Sequence, residues 1–235
     1  MLINQEWDYF LKINELKKEK WFRVLLDFIN NIYEQSESII CPAKNNIFKM
    51  FKELSPIEIN VFLLFQEPYS TLRNNKCVSN GIGLASSYLT PSLKHFFQSI
   101  DENIKDNNID ITLNSLIKQN VFLINKYLTI NKKPLSHSPY SFIYKGNLIR
   151  WDLFTKNLVK RLNEEFNGIA YIFFGTEAKV YSKYINKYKN YLLITSSPSP
   201  KGYKYGILKS NFHKKVNNYL KKQNKTEIQW INYMN

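Results

Sequence analysis

Four short, nearly continuous apolar runs constrain the fold of this chain more than any other feature: Ile59–Phe65, Val121–Ile124, Ile169–Phe174 and Tyr191–Thr195. None alternates apolar with polar residues, and none approaches the ~18 residues of a membrane span. Continuous runs of this length fit strands buried on both faces, as in a parallel sheet covered by helices. Between the runs the apolar spacing becomes helical. Leu93, Phe96, Phe97, Ile100 and Ile104 follow a Pro91-Ser92 start, and Leu148, Trp151, Leu158, Val159 and Leu162 form a second stripe. Phe212, Val216 and Leu220 line a lysine-rich terminal helix, and Trp7, Phe10, Leu11, Trp21, Leu25 and Phe28 predict N-terminal helices packed on the sheet. This alternation predicts a doubly wound α/β domain. No internal repeat or Gly/Ser linker divides it, so residues 1–235 are read as one domain, with 1–56 as its N-terminal helical part.

Charge sets the partner class. Lys and Arg number 33 against 19 Asp and Glu, a net charge of +14. From Tyr171 onward, twelve lysines face only Glu177 and Glu227, a local balance of +10. Such an excess points to a polyanion, most simply nucleic acid. The 44% hydrophobic and 15% aromatic content excludes a disordered chain. Asp101 to Asp110 reads as an acidic patch on a loop, away from the basic face. Cys41 and Cys77 are the only cysteines, which excludes a disulfide scaffold and predicts a reducing, intracellular setting. No signal peptide opens the chain, and no membrane partner is expected. His95, His137 and His213 with the two cysteines lack zinc-site spacing. No phosphate-binding loop or dinucleotide fingerprint appears, and Ser197 lacks a nucleophile-elbow context.

The segments after the strands carry the functional signal. Run one leads into Phe65-Gln66-Glu67-Pro68-Tyr69-Ser70, and run two ends at Asn125. Run three ends in Gly175-Thr176, and run four leads into Ser196-Ser197-Pro198-Ser199-Pro200. Open parallel sheets bind ligands outside the carboxyl ends of their strands. These polar, proline- and glycine-containing segments therefore converge on one edge.

In that order they resemble the motifs of family-1 uracil-DNA glycosylases. Gln66-Glu67-Pro68-Tyr69 resembles the water-activating loop GQDPYH, and Gly83–Ser87 resembles GLAFS. Thr90-Pro91-Ser92-Leu93 resembles the proline loop, and Val121–Thr129 resembles the uracil-recognition strand LLLNTVLT. Ser136-His137-Ser138 resembles SHA, Gly175-Thr176 the Gly-Ser turn, Ser197–Pro200 the HPSP intercalation loop, and Ile228-Gln229-Trp230 the terminal IDW. The likeness covers roughly residues 40–230. It implies a three-layer α/β/α domain with a central, mainly parallel four-stranded sheet. It also implies a monomeric enzyme that flips uracil out of DNA and hydrolyses its N-glycosidic bond without metal or cofactor. A proteinaceous glycosylase inhibitor and a replication factor are the protein partners such a chain would meet.

Residue by residue, the resemblance makes Asn125 the reader of uracil N3–H and O4, and Tyr69 the ring that excludes a thymine methyl. Glu67 stands where the family has Asp, which keeps the carboxylate but extends it by one methylene. Ser197 stands where the family has its catalytic His, and offers a shorter donor to uracil O2. Ser86 replaces the Phe that stacks on uracil, Lys201 the Leu that wedges into the duplex, and Ser70 the loop's terminal His. Phe65 beside Gln66 is a candidate replacement for the stacking ring, and Ser197, His137 and Tyr140 are candidates for the O2 donor. Ser92, Thr176 and Ser199 match phosphate-contacting positions, with Lys201 and Lys204 placed to meet the backbone. Two readings follow. In one, the rearranged pocket still excises uracil, with single strands or a wider range of bases favoured. In the other, catalysis is lost and the fold binds DNA as a processivity or scaffold protein.

Overall fold

A computed structural model of the chain describes residues 3–36, 40–105, 108–131 and 143–233. The four apolar runs become the strands Val61–Phe65, Val121–Asn125, Ala170–Phe174 and Tyr191–Thr195, all parallel in one sheet. In space their order is fourth, third, first, second, with Phe62 in register with both Phe122 and Tyr171. The chain enters at the first strand, steps outward to the second, then crosses to the other side for the third and fourth. That reversal between the first and third strands opens a crevice at their carboxyl ends.

Aromatic packing builds the layers. On one face Phe51 contacts Trp7, Phe122 and Phe154 at ring separations of 5.0, 5.5 and 5.8 Å. This joins the helices Gln5–Phe10 and Trp151–Glu165 to the sheet. The Trp7 indole donates to the Leu54 carbonyl at 2.8 Å, and Arg161 donates to the Phe10 carbonyl at 2.7 Å. Trp7 also meets Phe122 of the second strand at 5.3 Å, so this first helix reaches the sheet. On the other face Phe174 meets Phe65, Phe96 and Phe212, which brings in the helices Pro91–Gln98 and Phe212–Lys222. Among the described residues no helix is long and apolar enough to cross a membrane.

Several expectations are corrected. The fourth strand lies at the sheet edge, where Ile194 is 41% exposed, so continuous apolarity did not mean burial on both faces there. The second strand also ends the sheet but is fully buried, because a loop covers it. The Gly83 amide donates to the Leu123 carbonyl at 3.0 Å. A Cβ on Gly83 would lie 2.7 Å from the Ile124 nitrogen, so only glycine permits this approach. The helix opened by Pro91 stops at Gln98, where the Ser99 hydroxyl takes the Phe96 carbonyl at 2.6 Å; Ile100 and Ile104 lie beyond it. Leu148 belongs to a short hairpin with Ile143–Tyr144 rather than to the following helix. Asp110 is buried rather than part of a solvated acidic patch. Burial would raise its carboxyl, but hydrogen bonds from Thr112 and Ser115 outweigh that and hold it below the usual carboxylate range. The two cysteines, expected as separate reduced thiols, form a Cys41–Cys77 disulfide across 36 residues. The sequence interval concealed that the strands Ile40–Cys41 and Lys76–Cys77 meet in space.

Candidate functional site

At the carboxyl edge of the sheet lies a cleft of about 400 Å³. Its walls come from Phe65–Thr71 after the first strand, Asn125 at the end of the second, and Ser197–Ser199 after the fourth, with Leu84, Ser92 and Ile130 between them. The structure therefore brings together segments separated by more than a hundred residues. Of the residues expected in the site, Phe65, Gln66, Glu67, Tyr69, Ser92, Asn125, Ser197 and Ser199 line this one cleft.

The first wall is an extension of the sheet. Phe65 and Asn125 are directly paired by strand register. Beyond them, the Lys126 amide donates to the Phe65 carbonyl at 2.9 Å and the Tyr127 amide to the Gln66 carbonyl at 3.0 Å. This ladder fixes the direction in which Gln66-Glu67-Pro68 leaves the strand, and places the half-buried Glu67 on the cleft wall. The Asn125 side chain is 5% exposed, and its Oδ1 has no hydrogen-bond partner among the described residues. A buried amide oxygen without a partner costs free energy unless something else donates to it. Tyr69 is held at its tip: its hydroxyl donates to the Leu84 carbonyl at 3.0 Å and accepts from the Thr90 hydroxyl at 2.9 Å. Burial pushes its phenol well above the ordinary tyrosine range, so the ring is a neutral, fixed wall.

The second wall is a loop closed on itself. The Ser197 hydroxyl accepts from the Ser199 amide at 3.2 Å, which leaves its own proton available to donate. The Gly202 amide returns to the Ser199 carbonyl at 2.9 Å. A Cβ on Gly202 would lie 2.5 Å from the Ser197 carbonyl oxygen, so a side chain there would force the loop open.

Two residues that sequence reasoning did not assign to the site hold these walls. His95, on the helix after Ser92, places Nδ1 3.0 Å from the Pro198 carbonyl oxygen. A carbonyl only accepts, so Nδ1 carries the proton. The same ring stacks on Tyr203 at 4.1 Å. Its available signal was a polar residue beside the apolar stripe, which does not reveal a contact 103 positions away. Lys126 follows Asn125 and is 6% exposed, with Nζ 2.6 Å from Glu177 Oε2. Burial would lower the Lys126 ammonium, but hydrogen bonds to Glu177 and Tyr127 outweigh it and raise the pKa. Glu177 lies in the turn of helix Thr176–Lys179, so the ion pair ties the end of the second strand to the segment after the third.

Other expected residues lie elsewhere. Ser86 is fully buried, accepts from the Tyr88 amide at 3.4 Å, and is not among the cleft-lining residues. Phe65 lines the cleft but is 5% exposed, because its ring stacks on Phe174 at 4.6 Å. Thr176 starts its short helix outside the cleft lining, and Lys201 and Lys204 are exposed beyond Ser199. Ser70 is on the cleft wall. Ser136, His137, Ser138 and Tyr140 lie outside the described residues. Among the described residues, no cluster of three or more His, Cys, Asp or Glu side chains is arranged to hold a metal ion.

The chain is 31% identical over 231 residues to the uracil-DNA glycosylase of Borrelia duttonii (strain Ly), an alignment covering 96% of this chain and 97% of that protein. The uracil-DNA glycosylase of Borreliella burgdorferi (strain ZS7) is 32% identical with the same coverage. Among solved structures, mimivirus uracil-DNA glycosylase shares the fold with a TM-score of 0.81 at 20% identity, over 97% of this chain and 87% of that one. A mimivirus UNG variant in complex with UGI gives a TM-score of 0.79 at 22% identity, over 97% and 89% of the two chains. No protein-family profile matches the chain.

Proposed function

Because this chain belongs to the uracil-DNA glycosylase family, we propose that it excises uracil from DNA by hydrolysing the N-glycosidic bond, in the cleft at the carboxyl edge of its sheet. The observation that carries this reading is Asn125: a buried side-chain amide on a strand end, with Oδ1 unpartnered among the described residues, in the same cleft as a carboxylate. Uracil N3–H donates to Oδ1, while the amide nitrogen donates to O4. Cytosine would leave both groups mismatched. Tyr69, pinned through its hydroxyl, closes the side on which a thymine methyl would project.

The chemistry needs a group that steers water and one that receives the leaving base. The bond between C1′ and N1 breaks, and its electron pair leaves with the base. Glu67 orients a water whose oxygen adds to C1′, takes the proton that this water sheds, and as an anion opposes the positive charge developing on the sugar. The Ser197 hydroxyl, already accepting from the Ser199 amide, donates a hydrogen bond to uracil O2 as negative charge gathers there, and keeps its proton. Ser92 and Ser199 supply hydroxyls for flanking phosphates. DNA is the partner this assigns. A proteinaceous inhibitor would compete with DNA by covering this cleft; a mimivirus UNG variant has been solved in complex with UGI.

The test is release of uracil from single- and double-stranded oligonucleotides. The parent protein should generate abasic product, and Glu67→Gln should reduce kcat by about 10²–10⁴-fold. A parent protein that binds DNA without producing abasic sites would establish the binding-only alternative. Unchanged turnover in Glu67→Gln would transfer the role to another carboxylate.

A further inference from the structure

The Cys41–Cys77 disulfide has no role in the chemistry above, yet both of its ends adjoin the cleft. Cys41 pairs by register with Ile130, a lining residue on the continuation of the second strand. Cys77 pairs with Leu72, the residue after Thr71, which lines the cleft on the continuation of the first strand. The bond therefore joins the two segments that leave the paired strands and carry Asn125 and Glu67. The backbone ladder between these segments reaches as far as the Tyr127 amide on the Gln66 carbonyl. The disulfide ties them again further out.

Core packing does not hold this outer stretch. None of residues 69–77 is buried, whereas Pro68 and Val78 on either side are. The Val78 amide donates to the Thr71 carbonyl at 3.1 Å, and Leu72–Arg73 pairs with Lys76–Cys77 in a hairpin whose tip, Asn74 and Asn75, is exposed. A stretch with so few buried apolar contacts opens at low free-energy cost. Its bond to the fully buried Cys41 anchors it. The sheet and helices rest on the apolar core instead, so cutting this bond loosens the stretch without dissolving the fold. Cys77 is half-exposed, and is the sulfur a reductant reaches. In reducing compartments an accessible disulfide is typically redox-sensing rather than structural. We propose that Cys41–Cys77 is a redox-responsive brace of the cleft: when oxidised it fixes the wall from Ser70 onward, and its reduction by a dithiol loosens that wall and slows uracil excision. The inference rests on the cleft being the uracil site and adds a regulatory bond to it. Glu67 stands three residues before Ser70, so a loosened wall spoils its aim at the water.

The exchange balances with the dithiol as sole co-reactant. One of its thiolates attacks Cys77 Sγ, the Cys41–Cys77 bond breaks, and Cys41 leaves as thiolate. The second thiolate then attacks the mixed disulfide and releases Cys77. The reductant ends as a disulfide, having given two electrons to the pair, and its two thiol protons end on Cys41 and Cys77. The test equilibrates the full chain in reduced and oxidised dithiothreitol at varied ratios. Free thiols are counted by alkylation and mass spectrometry, uracil release is measured on a single-stranded oligonucleotide, and amide hydrogen exchange is followed along the chain. The oxidised protein should show no free thiol and the reduced one two. Reduction should lower kcat by about 10- to 100-fold and speed exchange over residues 69–77, with strand Val61–Phe65 still protected. Cys77→Ser should match the reduced protein and ignore dithiothreitol. Two free thiols without reductant, equal kcat in both states, or exchange that rises throughout the sheet overturns the brace and leaves the glycosylase reading intact. An oxidised parent that releases no uracil overturns that reading, while exchange over residues 69–77 still reports whether the bond fixes the wall.

Discussion

The two walls of the cleft are built by different means. The wall of Gln66, Glu67, Tyr69 and Asn125 grows from two paired strands whose hydrogen-bond ladder continues past the sheet. Its side chains inherit their positions from strand register. The wall of Ser197 to Pro200 has no such inheritance. It is closed by the near approach of Gly202 and tied from outside by His95. The first wall presents an amide and a carboxylate at buried or half-buried positions, and the second presents hydroxyls backed by exposed lysines. In the proposed glycosylase, base selectivity thus resides where the backbone is most constrained, and attraction to DNA resides where side chains reach solvent.

Asn125→Ala is the most severe way to test that division. Uracil would lose both edge contacts at a position where Asn125 is only 5% exposed, so kcat/KM should fall by about 10³–10⁴-fold. Binding to a strand without uracil should stay as in the parent, and an equal loss there would erase the distinction between the walls. Ser197→Ala comes next, with kcat lower by about 10²-fold for one donor to the leaving base. Thermal unfolding should be followed in parallel, because the Ser199 amide loses its acceptor. Undiminished kcat in a folded Ser197→Ala protein would move the O2 donor to another residue.

The same division explains what could be read from the sequence. The strands were legible because continuous apolarity is local, and the first wall was legible because Gln66, Glu67, Tyr69 and Asn125 sit at strand ends that the pattern locates. The edge position of the fourth strand was not, since Tyr191–Thr195 is as apolar as its neighbours and only the strand order exposes Ile194. Along the chain His95 is only a histidine without zinc spacing. Its bond to Pro198 and stack on Tyr203 depend on how a helix lies against a distant loop. Lys126 is another such case, because a lysine after a strand reads as solvated until Glu177 is seen to approach it. The Cys41–Cys77 bond failed for the same reason: spacing along the chain carried no information about two short strands that meet only in the folded protein. Ser86 matched a stacking position in the motif, yet its backbone lies deep in the loop and its side chain outside the cleft.

The smallest expected effect tests the second wall from its solvent side. Lys201 and Lys204 are exposed, so the Lys201→Ala, Lys204→Ala double substitution should leave folding unaffected. If each contacts one phosphate of a single strand, removing both lowers the slope of log K against log salt by about 1.4 and weakens binding by about 10- to 30-fold near 0.1 M salt. The loss should be the same with and without uracil, because phosphates carry no base information. Turnover at saturating substrate should not change, since neither ammonium lines the cleft in which the bond breaks. A lower kcat at saturation would mean that the loop's charge also orders Ser197, joining the two walls into one catalytic unit. An unchanged salt slope would place the phosphate track elsewhere on the basic surface, with the lysines of helix Phe212–Lys222 as the next candidates.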